Sequence, residues 1–218
     1  MTDQVTLYAF NTGWFQCKPG YYVEGDEGPH MRAPVPSYLI DHPKGRALFD
    51  TGMGVRFRRE QGNALPADKF GLEWFEGMDI ATRLKSIDVD PASINWIINS
   101  HLHIDHCGGN AHLPNATMIV QSSEYEAAQN CDQPLLYSPE DYDTGQPVKT
   151  VSGEHDLFGD ILAEVCHGVD SKVFEKSFYI RAFDVVVDPQ PVHFTAAGHL
   201  FLTHYRNIVL GLARGHAG

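Results

Sequence analysis

Residues 94–110 read INWIINSHLHIDHCGGN: an apolar run that stops at a polar pair and then delivers three imidazoles and a carboxylate within six positions. A short β-branched and aromatic stretch bounded by turn residues reads as a buried strand. The cluster His101, His103, Asp105 and His106 therefore sits where that strand ends. Imidazole suits zinc and similar first-row ions through a neutral ring nitrogen, and Asp supplies an oxygen ligand or a proton acceptor. In extended backbone, residues i and i+2 face the same way. His101 and His103 can thus grip one ion while Asp105 and His106, further round the turn, face a second. The pattern predicts two adjacent metals. Cys107 lies inside the cluster, but its neighbours supply enough ligands and a buried thiol behaves as a small hydrophobe, so it is read as a packing residue.

A chain of 218 residues fits one domain, taken here as 1–218. Its hydrophobic fraction of 43% and charged fraction of 20% are enough for a core and argue against disorder. A formal charge of −12 with no basic patch excludes a phosphate-tracking surface, so no nucleic-acid partner is expected. A small-molecule substrate is left open, because bound divalent ions can reverse the local charge of an acidic pocket. The start, MTDQVTLYAF, has no basic segment followed by an apolar one, and no run approaches the ~18 apolar residues of a membrane helix. A cytoplasmic protein with no membrane partner is expected. Cys17, Cys107, Cys131 and Cys166 form no C-x-x-C pair, which speaks against a disulfide framework. Nothing in the sequence sets an oligomeric state.

Strands are predicted over 5–11, 38–41, 46–50, 94–100 and 118–121, with Pro43-Lys44-Gly45 turning the second into the third as a hairpin. Residues 75–87 carry apolar positions at near-helical spacing. Ser123 to Asn130 opens as Ser-x-x-Glu, which predicts a helix capped by Ser123 with Glu126 reaching back. Residues 110–115 read as a loop or helix start leading away from the cluster, with His112 at the surface or supporting a ligand. This order of strand pairs followed by helix–strand alternation predicts an α/β fold with mixed sheets and the site at strand ends. Asp50, in Leu48-Phe49-Asp50-Thr51-Gly52, ends an apolar strand beside a glycine turn. It is read either as a turn cap or, beside the histidine cluster, as a carboxylate that holds a ligand in place.

Taken together, PVPSYLIDHPKGRALFDTG at 34–52, SHLHIDHCGGN at 100–110, IVQSSEYEAA at 119–128 and GEHDLFGD at 153–160 resemble the metallo-β-lactamase superfamily and, within it, the N-acyl-homoserine lactonase branch. The resemblance covers about residues 1–160. It implies an αββα sandwich with two zinc ions, and a hydrolase that opens the lactone ring of N-acyl-homoserine lactones or similar small lactones through a metal-bound hydroxide. By that likeness His101 and His103 bind the first metal and Asp105 and His106 the second. Asp105 also acts as the catalytic acceptor that orients the nucleophile and passes a proton to the leaving alkoxide. The rival readings are an inactive relative with a partial metal site, or a hydrolase of another ester or thioester.

After Asp160 the family pattern expects a T-P-G-H-x-x-G-H turn, a strand ending in a bridging Asp and a last G-H-D-like histidine. The chain reads ILAEVCHGVDSKVFEK instead. His167 and Asp188 are the substitutes in the right order, with His193, His199 and His204 beyond them. The segment 160–218 is therefore expected to be atypical, and a change of reading frame after codon 160 would account for it. Its apolar runs at 177–188 and 199–213 could still pack as strand and helix. Trp14, Phe15, Tyr21 and Tyr22 are the candidate apolar lining of a substrate pocket.

Overall fold

The computed structural model describes residues 5–18, 28–29, 31–54, 70–131, 137–153, 155–159, 163–166, 177–180, 184–187 and 200–203. The chain opens with β1 (Thr6–Cys17) and β2 (Met31–His42), and β2 returns through Pro43-Lys44 into β3 (Gly45–Phe49). The predicted hairpin is present, with Tyr38 opposite Phe49 and His42 opposite Gly45. Gly45 takes φ +144°, a conformation that L side chains rarely adopt. Across the hairpin Arg46 Nε reaches Asp41 Oδ1 at 3.0 Å. Both early strands run longer than predicted. β1 passes through an irregularity between Asn11 and Trp14 before pairing on with β2 and with β4 (Phe70–Glu73), and that break in period hides its second half from a pattern search.

Helix α1 (Ile80–Lys85) is shorter than the predicted 75–87. Asp79 stops it on the N-terminal side by accepting from the Thr82 amide at 2.9 Å, and Phe75 stays exposed outside it. Next come β5 (Trp96–Ile98), α2 (Ile104–Cys107), β6 (Thr117–Gln121), α3 (Ser122–Asn130), α4 (Pro139–Tyr142) and β7 (Val148–Val151). Residues 110–112 form a single 3-10 turn. The predicted Ser123 cap is not made. Gln121 occupies the cap position without a side-chain bond, and Ser122 Oγ instead donates to the Val151 carbonyl at 3.1 Å.

The later strands are β8 (His155–Asp156), β9 (Ala163–Cys166), β10 (Ser177–Ile180), β11 (Asp184–Val187) and β12 (Leu200–Thr203). Among the described residues, one sheet has the order β11-β1-β2-β3-β5-β6-β7 with β4 also on β1, and a second has the order β12-β10-β9-β8. The run 177–188 thus supplies two strands in different sheets. From the run 199–213, β12 is described and the remainder lies outside the described residues.

The two faces of the large sheet follow from side-chain alternation along its strands. Leu39, Leu48 and Ile97 point to Ile80 and Leu84 of α1, in a cluster that also holds Phe10, Ile94 and Leu113. Tyr38, Ile40, Ala47 and Ile98 point the other way, beside Leu7 of the same sheet and onto Phe158 just after β8. With the large sheet between them, helix on one side and the segment following β8 of the second sheet on the other supply three of the layers of the expected αββα sandwich. Leu39, Leu48 and Ile97 are fully buried, and each such side chain contributes about 1.5–3 kcal/mol. β3, β5, β6 and β7 are parallel, so their carboxyl ends share one edge, where open α/β sheets bind ligands.

Candidate metal centre

At that edge the chain leaves β3 through Asp50 to Gly54 and leaves β5 through Asn99 to Cys107. His101, His103 and His106 come together there. The His101 ring centroid lies 4.4 Å from that of His103 and 3.9 Å from that of His106. Asp105 Oδ2 is 3.2 Å from His106 Nε2. All four cluster residues predicted from the sequence are thus in one place, although not along a single strand. β5 ends at Ile98, His101 to His103 is irregular, and α2 carries Asp105 and His106.

Asp50 is buried beneath them. Its Oδ1 accepts from the Ser100 amide at 2.7 Å, and its Oδ2 from Ser100 Oγ at 2.8 Å and His106 Nδ1 at 2.8 Å. Its backbone has φ +54°, in the left-handed region that costs a non-glycine residue about 1 kcal/mol. The Asp50 amide bonds to the Ile98 carbonyl at 2.9 Å, and its own carbonyl accepts from Ser37 Oγ at 2.7 Å. This is more than a turn cap, because the carboxylate spans both connections that leave the sheet.

The His106 carbonyl is held as firmly as its ring. It accepts from the Thr51 amide at 2.7 Å and Asn99 Nδ2 at 3.2 Å, with Thr51 Oγ1 3.2 Å away. Asn110 Nδ2 bonds to Asn99 Oδ1 at 2.9 Å, and Thr51 Oγ1 to Asn110 Oδ1 at 2.8 Å. On the other side, Glu124 of α3 accepts from the Leu102 amide at 2.9 Å. The Tyr137 ring stands edge-on to His103 at 4.7 Å. Sequence reasoning missed Ser100, Thr51, Asn99, Asn110, Glu124 and Tyr137. The available signal was the abrupt Asn99-Ser100 polar pair after INWII, since a buried polar residue at a strand end must find partners.

The glycines of both motifs permit close approach. Gly52 and Cys107 form a parallel bridge. A Cβ on Gly54 would strike the Gly108 carbonyl, and one on Gly109 would strike the Thr51 carbonyl. The D-T-G-M-G and C-G-G-N segments therefore lie backbone against backbone.

The charges fit this geometry. Burial works against a charged His106, but Asp105 and Asp50 on either side outweigh it and raise the imidazole from 6.5 to about 10. Burial likewise opposes a charged Asp105, yet the facing His106, with His103 beyond it, holds its carboxyl below the usual value. Cys107 is buried near Asp141, Asp105 and Asp50 and its thiol is pushed up, in keeping with a packing role. Its Sγ–H faces the His103 carbonyl at 3.2 Å.

Among the described residues no three His, Cys, Asp or Glu side chains are gathered as a ready metal cage. At His106, Nε2 turns to Asp105 while Nδ1 turns to Asp50. The donor set itself suits a divalent ion. Three imidazoles and a carboxylate converge, and a buried carboxylate backs the far nitrogen of one of them, as metal-ligating histidines require. His167 and Asp188 lie outside the described residues, as do Tyr21, Tyr22 and the side chain of Phe15. Trp14 is half-buried and packs with Ile104 against Val35, Met53, Trp74 and Met78. His112 is half-buried in its 3-10 turn. No helix among the described residues is long and apolar enough to cross a membrane.

Known proteins are similar to this chain in sequence and fold. The N-acyl homoserine lactonase AttM of Azorhizobium caulinodans is 35% identical over 133 residues, covering 59% of this chain and 49% of the relative. AttM of Rhizobium johnstonii is 31% identical over 175 residues, covering 75% and 64%. The chain thus spans about half to two thirds of the length of these curated relatives. Among solved structures it is similar to an N-acyl homoserine lactone hydrolase with the product N-hexanoyl-L-homoserine bound at the catalytic metal center, at a TM-score of 0.70 and 26% identity, covering 84% of this chain and 72% of the other. The sequence model of the Metallo-beta-lactamase superfamily matches residues 31–205 and so runs past Asp160. Sandwich, histidine cluster at the parallel strand ends and sequence match agree, and the chain belongs to the metallo-beta-lactamase superfamily.

Proposed function

We propose that this protein is a metal-dependent hydrolase that opens the lactone ring of N-acyl-homoserine lactones or similar small lactones, with two zinc ions as cofactors and the cytoplasm as its compartment. The observation that carries the reading is the convergence of His101, His103, Asp105 and His106 over the buried Asp50, in a chain whose relatives bear the lactonase name. His101 and His103 would hold the first ion, and Asp105 and His106 the second. When bound, such ions polarise a carbonyl and make a water acidic enough to attack near neutral pH.

The side chains supply the rest. Asp105, held as a carboxylate by His106, accepts the hydrogen bond of the attacking water and passes the proton to the leaving ring oxygen. Asp50 fixes the His106 ring through Nδ1, which leaves Nε2 on the side of Asp105, where the second ion would be held. Trp14, beside Ile104, offers an apolar wall to the acyl chain. The remaining ligands come from residues 160–218, with His167 and Asp188 as candidates. The rival account of that segment is a frame change after codon 160, and absence of a T-P-G-H segment in the other two frames would remove it.

A second reading, an inactive relative with a partial site, draws on the sequence after Asp160, which reads ILAEVCHGVDSKVFEK where the family pattern has T-P-G-H-x-x-G-H. Metal analysis with an activity screen separates the two. About two zinc ions per chain with opening of N-hexanoyl-homoserine lactone supports the hydrolase. Less than one ion and no turnover after zinc addition supports the inactive relative. Turnover of thioesters or phosphodiesters alone would move the substrate class.

A further inference from the structure

The hydroxyl of Ser100 stands at the centre of three partners: Asp50 Oδ2 at 2.8 Å, His101 Nδ1 at 3.0 Å and His106 Nδ1 at 3.3 Å. A hydroxyl has one proton to give, and a carboxylate can only accept. The Ser100 proton therefore goes to Asp50, which leaves the oxygen lone pairs for the imidazoles. His101 must then donate from Nδ1, so in the neutral ring the single proton sits there and not on Nε2. His106 reaches the same end directly, since its Nδ1 lies 2.8 Å from Asp50 Oδ2. The Ser100 amide, bonded to Asp50 Oδ1 at 2.7 Å, locks the serine to the carboxylate by a second bond.

We propose that Ser100 is a positioning residue that extends the hold of Asp50 to His101, so that one buried carboxylate fixes the metal-presenting tautomer of two imidazoles. The inference rests on the metal-site reading above and adds to it a residue that touches neither metal nor substrate. It also gives the Asn99-Ser100 strand end a function: Asn99 pins the His106 carbonyl, and Ser100 sets the His101 ring. Loss of a hydrogen-bonded partner behind a ligand histidine weakens metal binding by about 10–100-fold.

The test uses Ser100→Ala and Ser100→Thr in the full chain. The His101 tautomer is read from imidazole 15N shifts of the zinc-free protein at a pH where that ring is neutral, and zinc affinity from competition with a chelator. Wild type and Ser100→Thr should show His101 protonated on Nδ1 with Nε2 bare. Ser100→Ala should show a mixture of tautomers and a zinc affinity about tenfold or more weaker, with Ser100→Thr restoring it to within a few-fold. An unchanged His101 tautomer in Ser100→Ala overturns the proposal, as does a threonine variant no better than the alanine one. If Ser100→Ala does not fold, the tautomer in Ser100→Thr decides: the opposite tautomer there overturns the role. Should the wild type bind no zinc, the hydrolase reading fails while the tautomer still decides the role of Ser100.

Discussion

His106 stands between two carboxylates, and most of the site's chemistry follows from that. In the metal-free protein its imidazole is raised from 6.5 to about 10, so the folded state holds this proton more tightly than the unfolded chain does. The stabilisation is full below about 6.5 and lost as pH climbs to about 10. Melting curves of chelated protein should show Tm falling across that window, and a Tm that rises through it would contradict the assignment. Asp105 has the opposite sign, because its depressed value makes its contribution present above the ordinary carboxylate range and lost in acid. A metal taking His106 Nε2 must expel the proton, so zinc affinity should increase with pH over the same interval. Asp105→Asn should cut lactone turnover by about 10²–10⁴-fold while zinc content falls far less; unchanged turnover would remove its catalytic role. The cluster of His101, His103, Asp105 and His106 was legible in the sequence because metal-binding chemistry is written in residue type and spacing. Ser100 and Thr51 were not, since their roles depend on Asp50 and His106 meeting across 50 or more positions.

At the scale of elements, backbone contact does the positioning. Gly54 and Gly108 leave no room for a Cβ, so Gly54→Ala or Gly108→Ala should destabilise the fold by roughly 1–3 kcal/mol and lower zinc occupancy, measured by urea unfolding and metal analysis together. A substitution that is neutral in both would show that the two loops can separate without harm. Asp79→Ala should cost about 1 kcal/mol through the lost cap on α1 and leave zinc binding unchanged. The hairpin at Pro43-Lys44 and the strands around Leu48 and Ile97 were legible because local turn chemistry and buried apolar runs agree there. The cap on α3 was misread because tertiary partners outbid the local pair. Ser122 turns to Val151, and Glu124, one residue beyond the expected cap, is drawn to the Leu102 amide at the site.

For the whole molecule, the order of strands places Asp50, Ser100 to His106 and Glu124 on one sheet edge, each following a parallel strand. The α/β class with mixed sheets was readable from the alternation of elements and the αββα sandwich only through the family resemblance, but the path of the second sheet was not readable, because residues after Asp160 carry weak patterning and pair over long separations. β11 returns to lie parallel to β1, Thr6 opposite Asp184, a pairing that no local signal announces. The central claim is that the cluster on this edge holds the metals for lactone opening. The most direct measurement is a zinc titration of the chelated full chain, with bound metal and N-hexanoyl-homoserine lactone opening followed together in wild type and in His103→Ala. The account predicts no turnover without metal, turnover rising to a plateau near two zinc ions per chain, and a plateau in His103→Ala that is lost or reached only at more than about tenfold higher free zinc. Turnover that ignores zinc, or a His103→Ala titration that overlays the wild type, would contradict it.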